Sequence, residues 1–189
     1  FITAGIMMWV IGKPIANITV LLTEWLQNMS GTNTILLAVI LGMMIVFDMG
    51  GPVNKVAFSS MILSVSEQIY TIPAMIGVAI CVPPIGLGIS TLIAPKKYSD
   101  EEKETGKAAI LMGLVGVTEG AIPFAAANPL RVIPALMAGA ACGSVTAGLL
   151  GAKLSSSWGG LIVLPTVENK IGYIIAVLVG ASVTAVTAA

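Results

Sequence analysis

Three prolines and two opposite charges lie within one short apolar stretch of this chain, TEGAIPFAAANPLRVIPA at 118–135. Each proline removes a backbone donor and restricts the residue before it, so one unbroken membrane-spanning helix is not expected here. We predict a helix end, an irregular tip, and a new helix with Asn128 as N-cap and Pro129 at its first position. Ionisable groups at membrane depth are costly, which makes Glu119 and Arg131 functional candidates. The alternative is one proline-kinked helix whose charges reach the membrane surface.

The composition indicates an integral membrane protein. Of the 189 residues, 57% are hydrophobic and 10% are charged, whereas soluble domains carry about 25% charged residues. A spanning helix needs about 20 apolar residues, so the length allows about five or six spans. The formal net charge of +0 gives no case for nucleic-acid binding, and the absence of histidine removes the commonest metal ligand and acid–base group. We expect no metal site and no cofactor.

We predict an all-α, polytopic membrane protein with discontinuous helices, organised in five successive regions. These are a first span and turn (1–34), a first hairpin region (35–68), a span and cytoplasmic loop (69–107), a second hairpin region (108–152), and a turn with the last span (153–189).

The third region combines a long apolar run with the one strongly hydrophilic segment. Residues 69–94 are long enough to span, and we expect the run to be bent or divided by its prolines, Pro73, Pro83 and Pro84. The segment PKKYSDEEKETGK at 95–107 is interpreted as a loop. It holds four lysines, which places it in the cytoplasm by the positive-inside rule.

Small residues and thiols in the apolar runs have packing interpretations. Gly139 and Gly143 have GxxxG spacing, which favours close helix approach, although membrane spans are generally rich in glycine and alanine. Cys81 and Cys142 lie in apolar surroundings without CxxC spacing and are both predicted to be buried packing thiols.

Two interrupted segments resemble each other. Asp48 and Glu119 each lie four residues before a proline, with an asparagine following at Asn54 and Asn128. The first segment follows an apolar run, 35–47, that is too short to span. Paired interrupted segments indicate a transporter's binding site, because unwound backbone there can face substrate instead of lipid.

Longer motifs at these two places resemble a known family, the fructose-type membrane-embedded IIC subunit of the bacterial phosphoenolpyruvate-dependent sugar phosphotransferase system. The matching motifs are FDMGGPVNKVAF at 47–58 and GLVGVTEGAIPFAAANPLRVIPA at 113–135, and the loop APKKYSDEE at 94–102 is also similar. The family's subunit is roughly twice as long, so this chain resembles its C-terminal half. The chain begins at Phe1 rather than Met and has no basic-then-apolar leader, so we expect no signal peptide and a fragment of a longer protein.

One departure from the family pattern lies near the last turn. The family tends to carry Pro-His-Gly-Gly there, whereas this chain reads SWGG at 157–160. Any role of that histidine in orienting sugar is therefore in question here.

The resemblance implies a sugar permease with two re-entrant hairpins, working as a homodimer in the bacterial cytoplasmic membrane. It implies binding of fructose or a related hexose or glycoside, with phosphorylation during passage by a phosphocysteine on a IIB partner. This chain would be part of that phosphotransferase but carries neither phosphoryl-carrying domain. Two rival functions remain open, an ion-coupled secondary transporter with re-entrant hairpins and a non-transporting membrane assembly protein.

Four residues are predicted to bind the sugar. Glu119, which matches the family's motif glutamate, can accept hydrogen bonds from two hydroxyls and draw a proton from the attacking one, so it is also the predicted catalytic residue. Its alternative role is to cap a hairpin helix. Asp48, Asn54 and Asn128 are the other predicted ligands. The alternatives are that Lys55 neutralises the charge of Asp48, and that the two asparagines only hydrogen-bond backbone groups at the hairpin tips.

Arg131 and Lys55 are predicted to face the phosphoryl group. Arg131 is expected in the first turn of a helix, where the helix dipole disfavours a cation, so an anion nearby is expected. A guanidinium can grip two phosphoryl oxygens at once. The alternatives are an ion pair with Glu119 or a side chain that snorkels to the membrane surface.

Overall fold

The computed structural model describes residues 34–189, and no β-strand lies among them. The predicted all-α class is confirmed for this part of the chain. The helices are α1 (Thr34–Phe47), α2 (Pro52–Ser66), α3 (Thr71–Ile93), α4 (Asp100–Val115), α5 (Ile122–Ala127), α6 (Pro129–Leu149) and α7 (Lys170–Ala188). Short 3₁₀ turns lie at Pro95–Lys97, Thr118–Ala121 and Leu161–Thr166. The predicted first span, 1–34, falls outside the described residues except for its last residue.

Three of these helices are long and apolar enough to cross a membrane. They are α3, α6 and α7, with 23, 21 and 19 residues. Helix α1 is apolar but has only 14 residues, fewer than the roughly 20 that a span needs. This agrees with the expected short helix before the first break. The re-entrant character of the α1–α2 region and of the α5–α6 region remains a prediction.

Helix α3 forms the centre of the fold. Nearly all of its residues are buried, and it packs against α1, α2, α4, α6 and α7. Of the two expected effects of its prolines, a bend or a division, division of the run is wrong, because α3 continues through Pro83 and Pro84. Neighbouring elements can satisfy the carbonyl groups that prolines leave unpaired in a helix, and Thr118 does so for the Ile80 carbonyl.

The small-residue face of α6 packs on α7, as the GxxxG spacing predicts. An ideal Cβ added to Gly139 would lie 2.7 Å from the Gly180 carbonyl oxygen and would overlap the Thr184 hydroxyl. A Cβ on Gly143 would lie 3.2 Å from the Ala176 carbonyl oxygen. The two backbones therefore approach as closely as the absence of side chains permits.

The hydrophilic segment 95–107 is only partly a loop, which corrects the prediction. Helix α4 begins at Asp100, and a capping box joins Ser99 and Glu102, each bonding the backbone N–H of the other. The Lys103 side chain bonds the Asp100 carboxylate at 2.8 Å, and this hydrogen bond and its charge lower the pKa of Asp100. A serine followed three residues later by glutamate is itself a helix-start signal, which the lysine-rich composition obscured. The cytoplasmic placement remains a prediction.

Gly139→Ala should destabilise the α6–α7 contact. The added methyl group would meet backbone and a buried hydroxyl, and such overpacking typically costs about 1–3 kcal/mol. We expect a lower melting temperature for the full-length protein in detergent. Gly148→Ala, in the same helix, is the matched control, because its Cβ would meet only side-chain atoms, the Met75 Sδ at 3.2 Å and the Thr34 Cγ2 at 3.6 Å. Equal melting temperatures for the two variants would contradict this account of the contact.

Candidate functional site

The break predicted within 118–135 is present. Gly116 ends α4 in the left-handed conformation with φ 90°, a 3₁₀ turn and the short helix α5 follow, and α6 begins with Pro129 at its first position. The alternative of one proline-kinked helix is therefore wrong. Asn128 occupies the N-cap position as predicted, but its exposed side chain makes no capping hydrogen bond.

The first motif forms the turn between α1 and α2. The two carboxylate oxygens of Asp48 accept hydrogen bonds from the backbone N–H groups of Val53, at 2.7 Å, and Asn54, at 2.9 Å. Gly51 leaves room for this contact, since a Cβ there would lie 2.5 Å from the same carboxylate. Asp48 thus caps the otherwise unpaired first turn of α2.

The two motifs meet in space at Glu119. An ideal Cβ on Gly50, which has φ 111°, would lie 3.0 Å from the Glu119 Oε1 atom. The carboxylate therefore lies against the turn that follows α1. Beside it is a cavity of about 130 Å³, lined by Asn54, Lys55, Phe58, Ile80, Gly116, Thr118, Glu119 and Trp158.

The polar groups of this cavity have unused hydrogen-bonding capacity. Glu119 and Lys55 are exposed, and within residues 34–189 neither side chain has a hydrogen bond or an ion pair. The Asn54 side-chain amide donates to the Ile45 carbonyl at 2.6 Å, which leaves its carbonyl oxygen free to accept within this part of the chain. The cavity therefore offers a carboxylate, an ammonium group and an amide oxygen to a ligand.

Thr118 ties the Glu119 turn to the central helix. Pro84 has no N–H to give to the Ile80 carbonyl one turn earlier, and the buried Thr118 hydroxyl donates to that carbonyl at 3.2 Å. Gly120 reinforces the contact, because a Cβ there would lie 3.2 Å from the Pro84 side chain. The proline in α3 thus creates the acceptor that positions the residue beside Glu119.

Trp158 forms an aromatic wall of the cavity. Its indole N–H donates to the Val115 carbonyl at 2.9 Å, and its ring meets Phe58 edge to face, with centroids 6.3 Å apart. The residue is 47% exposed. Sequence reasoning did not assign Trp158, Phe58 or Thr118 to the site. The sequence signal for Trp158 is that it stands where the family pattern has a histidine. The signal for Thr118 is Pro84, which lies one helical turn after Ile80 and has no N–H for the Ile80 carbonyl.

Arg131 lies apart from this cavity. Its Nη2 atom donates to the Ala189 carbonyl at 2.6 Å, and Lys97 donates to the same oxygen, so two cations meet the C-terminal end of α7, where the helix dipole favours them.

Neither an Arg131–Glu119 nor an Asp48–Lys55 ion pair occurs in the described part of the chain. The phosphoryl-facing role of Arg131 and the sugar-binding roles of Asp48 and Asn128 remain predictions, and none of the three residues lines the cavity.

Comparison with known proteins gives a consistent result. Residues 1–139 match the family model described as Phosphotransferase system, EIIC. The fructose-like permease IIC component 2 of Escherichia coli (strain K12) is 61% identical over 185 residues, covering 98% of this chain and 52% of that protein.

Two further relatives carry fructose-specific names. The PTS system fructose-specific EIIC component of Haloferax volcanii is 44% identical over 97% of this chain and 49% of its own length. The PTS system fructose-specific EIIB'BC component of Vibrio cholerae is 44% identical over 96% of this chain and 32% of its own length. The chain thus spans about half or a third of these relatives. No protein of solved structure matches it.

Asp48→Ala should lower stability without abolishing ligand binding by the folded protein. It removes both acceptors for the first turn of α2, and loss of an N-cap typically costs about 0.5–2 kcal/mol. Asp48→Asn keeps one oxygen acceptor and should lower the stability less than Asp48→Ala does. Melting temperature and ligand affinity are measured for both variants. Loss of affinity in Asp48→Asn at an unchanged melting temperature would instead make Asp48 a ligand.

Thr118→Val should lower the free energy of unfolding more in the natural sequence than in a protein that already carries Pro84→Ala. In the natural sequence the change leaves the buried Ile80 carbonyl unpaired, which typically costs about 1–3 kcal/mol. In Pro84→Ala the residue at position 84 regains an N–H that can bond this carbonyl within α3. A double-mutant cycle on melting or denaturant stability measures the difference. Equal costs in the two backgrounds would exclude the proposed compensation.

Proposed function

This chain belongs to the phosphotransferase system EIIC family, and we propose that it is the C-terminal, substrate-holding part of a sugar permease. The observation that carries the proposal is the meeting of the two family-like motifs at one cavity. There Glu119 lies against the Gly50 turn and shares the cavity with Asn54 and Lys55. These are groups that hydrogen-bond sugar hydroxyls.

The protein is a multi-pass membrane protein, as its family and its long apolar helices indicate. We place it in the bacterial inner membrane. Both motif turns lie where one helix ends and another begins, and we propose that these turns are the tips of two re-entrant hairpins. At such tips the backbone is free to face a substrate instead of lipid.

Glu119 is the proposed sugar ligand and general base. Its carboxylate has no partner within residues 34–189, so both oxygens are available to adjacent hydroxyls of a sugar. A hydroxyl oxygen of the sugar attacks the phosphorus of the phosphorylated donor, and its proton passes to the Glu119 carboxylate. The new O–P bond forms as the donor's S–P bond breaks, and the donor sulfur leaves as a thiolate. Asn54 holds a second hydroxyl through its free amide oxygen.

Lys55 is the proposed cationic partner of the incoming phosphoryl group. It lines the same cavity as Glu119 without being neutralised by it. An ammonium group there attracts the charged phosphoryl oxygens and stabilises the charge that develops on them. We therefore assign this role to Lys55 rather than to Arg131, whose guanidinium bonds the end of α7.

The donor is proposed to be a phosphocysteine of a IIB domain. The names of relatives such as the Vibrio cholerae EIIB'BC component join B and C components in one protein, which supports a IIB partner. The same names support fructose or a closely related hexose as the sugar.

Further parts of the longer protein should complete the site. The cavity of about 130 Å³ is smaller than the roughly 300–1,000 Å³ typical of small-molecule pockets. The remaining walls would come from the rest of the parent protein, which we propose to be a homodimer.

The test uses membranes that contain the full-length parent, phosphoenolpyruvate and the general phosphotransferase proteins. We expect sugar phosphate to form from fructose or a related hexose in a panel that includes glycosides. Uptake of unmodified sugar that requires a sodium or proton gradient would instead identify an ion-coupled transporter. A parent that neither binds nor modifies any sugar would favour an assembly protein.

Glu119→Gln should keep the fold and lose phosphorylation. Glutamine preserves shape and some hydrogen bonding but not basicity, and loss of a general base typically lowers the rate by roughly 10²–10⁴-fold. Glu168→Gln is the matched control, because Glu168 is exposed, pairs with Lys153 at 3.2 Å and lies outside the cavity. Sugar phosphate formation and sugar affinity are measured for both variants. Wild-type turnover in Glu119→Gln would remove Glu119 from the site.

A further inference from the structure

We propose that Trp158 is an apolar platform on which one face of the bound sugar ring rests, and that it thereby determines which sugars are accepted. This inference deepens the proposed function and rests on it. A sugar ring carries hydroxyl groups around its rim and C–H groups on its faces. A site that binds it well therefore needs polar groups for the rim and a flat apolar surface for a face.

The contacts of the indole ring leave only its apolar surface for a ligand. Its single N–H is already donated to the Val115 carbonyl, and tryptophan has no other hydrogen-bonding group. Trp158 therefore cannot donate to a sugar hydroxyl while this bond is kept. The ring lines the cavity that also holds Asn54, Lys55 and Glu119, so an apolar surface and polar groups face the same space.

The orientation of the ring is fixed from two sides. The Val115 carbonyl holds one edge, and Phe58 meets the ring at an interplanar angle of 86°. A side chain held in this way binds with little loss of rotamer freedom, which makes it a better platform than a mobile one.

Glycines clamp the segment that carries Trp158 onto the Glu119 side of the cavity. A Cβ on Gly116 would overlap the Gly159 carbonyl, and a Cβ on Gly160 would lie 2.6 Å from the Gly116 backbone nitrogen. Gly116 and Gly160 both have positive φ, 90° and 95°, which glycine adopts without strain. The buried Tyr173 hydroxyl also donates to the Gly160 carbonyl at 3.2 Å. The platform and the carboxylate are thus held at a set separation.

Substitutions at position 158 separate a platform from a purely structural residue. Trp158→Phe and Trp158→Leu both lose the hydrogen bond to Val115, but only phenylalanine keeps a flat aromatic face. Affinity for the preferred sugar is measured on the full-length protein in detergent without phosphoenolpyruvate. We expect Trp158→Phe to stay within about threefold of wild type and Trp158→Leu to lose roughly tenfold.

Selectivity provides a readout that a structural role would not change. The leucine variant lacks the platform, so it should lose more affinity for the preferred hexose than for an open-chain hexitol, which has no rigid ring face. Equal affinity in the leucine and wild-type proteins would overturn the proposal. So would equal losses in the leucine and phenylalanine variants, because these would trace the effect to the Val115 hydrogen bond.

Fluorescence tests the platform with Trp158 itself in place. In a parent whose other tryptophans are changed to phenylalanine, saturating sugar should shift the Trp158 emission to shorter wavelength, because the sugar displaces water from the ring. An unchanged spectrum at saturation would overturn the platform. If the parent binds and phosphorylates sugar while these results fail, only the platform is wrong. A parent that binds no sugar contradicts the proposed function itself.

Discussion

The hydrogen bond from Thr118 to the Ile80 carbonyl links the candidate site to the centre of the fold. Helix α3 is almost entirely buried. Because Pro84 has no N–H, the Ile80 carbonyl of this helix has no hydrogen-bond donor within the helix. An unpaired carbonyl in such a place is costly, so a neighbour that supplies a donor gains a fixed position. Thr118 is that neighbour, and Glu119 follows it directly. A proline that weakens the helix locally therefore determines where the key carboxylate lies.

The cavity beside this bond is notable for charges that the described residues do not neutralise. Three ion pairs form elsewhere in this part of the chain, Lys103 with Asp100, Lys107 with Glu104 and Lys153 with Glu168. Lys55 and Glu119 share a cavity and form no ion pair there. Charges left available in an apolar protein require a ligand, a partner or water. A sugar with a phosphoryl group arriving at one hydroxyl has the matching chemistry.

Asp48 and Glu119 illustrate how similar motifs acquire different tasks. Both acids lie four residues before a proline and beside glycines. Asp48 lies close enough to the start of α2 for its oxygens to reach two backbone N–H groups. Glu119 instead lies within a 3₁₀ turn, makes no such contact within residues 34–189, and lines the cavity. The distinction lies in backbone direction, which the residue spacing does not encode.

The sequence alone determined the helical class, the break after the short run 35–47, the break within 118–135 and the helix start at Pro129, because proline, glycine and apolar runs act over a few neighbouring residues. Sequence analysis also predicted Asn54, Lys55 and Glu119 as site residues, and these three line one cavity. Only the tertiary structure decided that α3 runs through its prolines, that Arg131 reaches the end of α7, and that Trp158 joins the cavity. Each of these depends on a contact between residues far apart in the chain. Such contacts follow from how the helices pack around α3, and no local pattern specifies that packing.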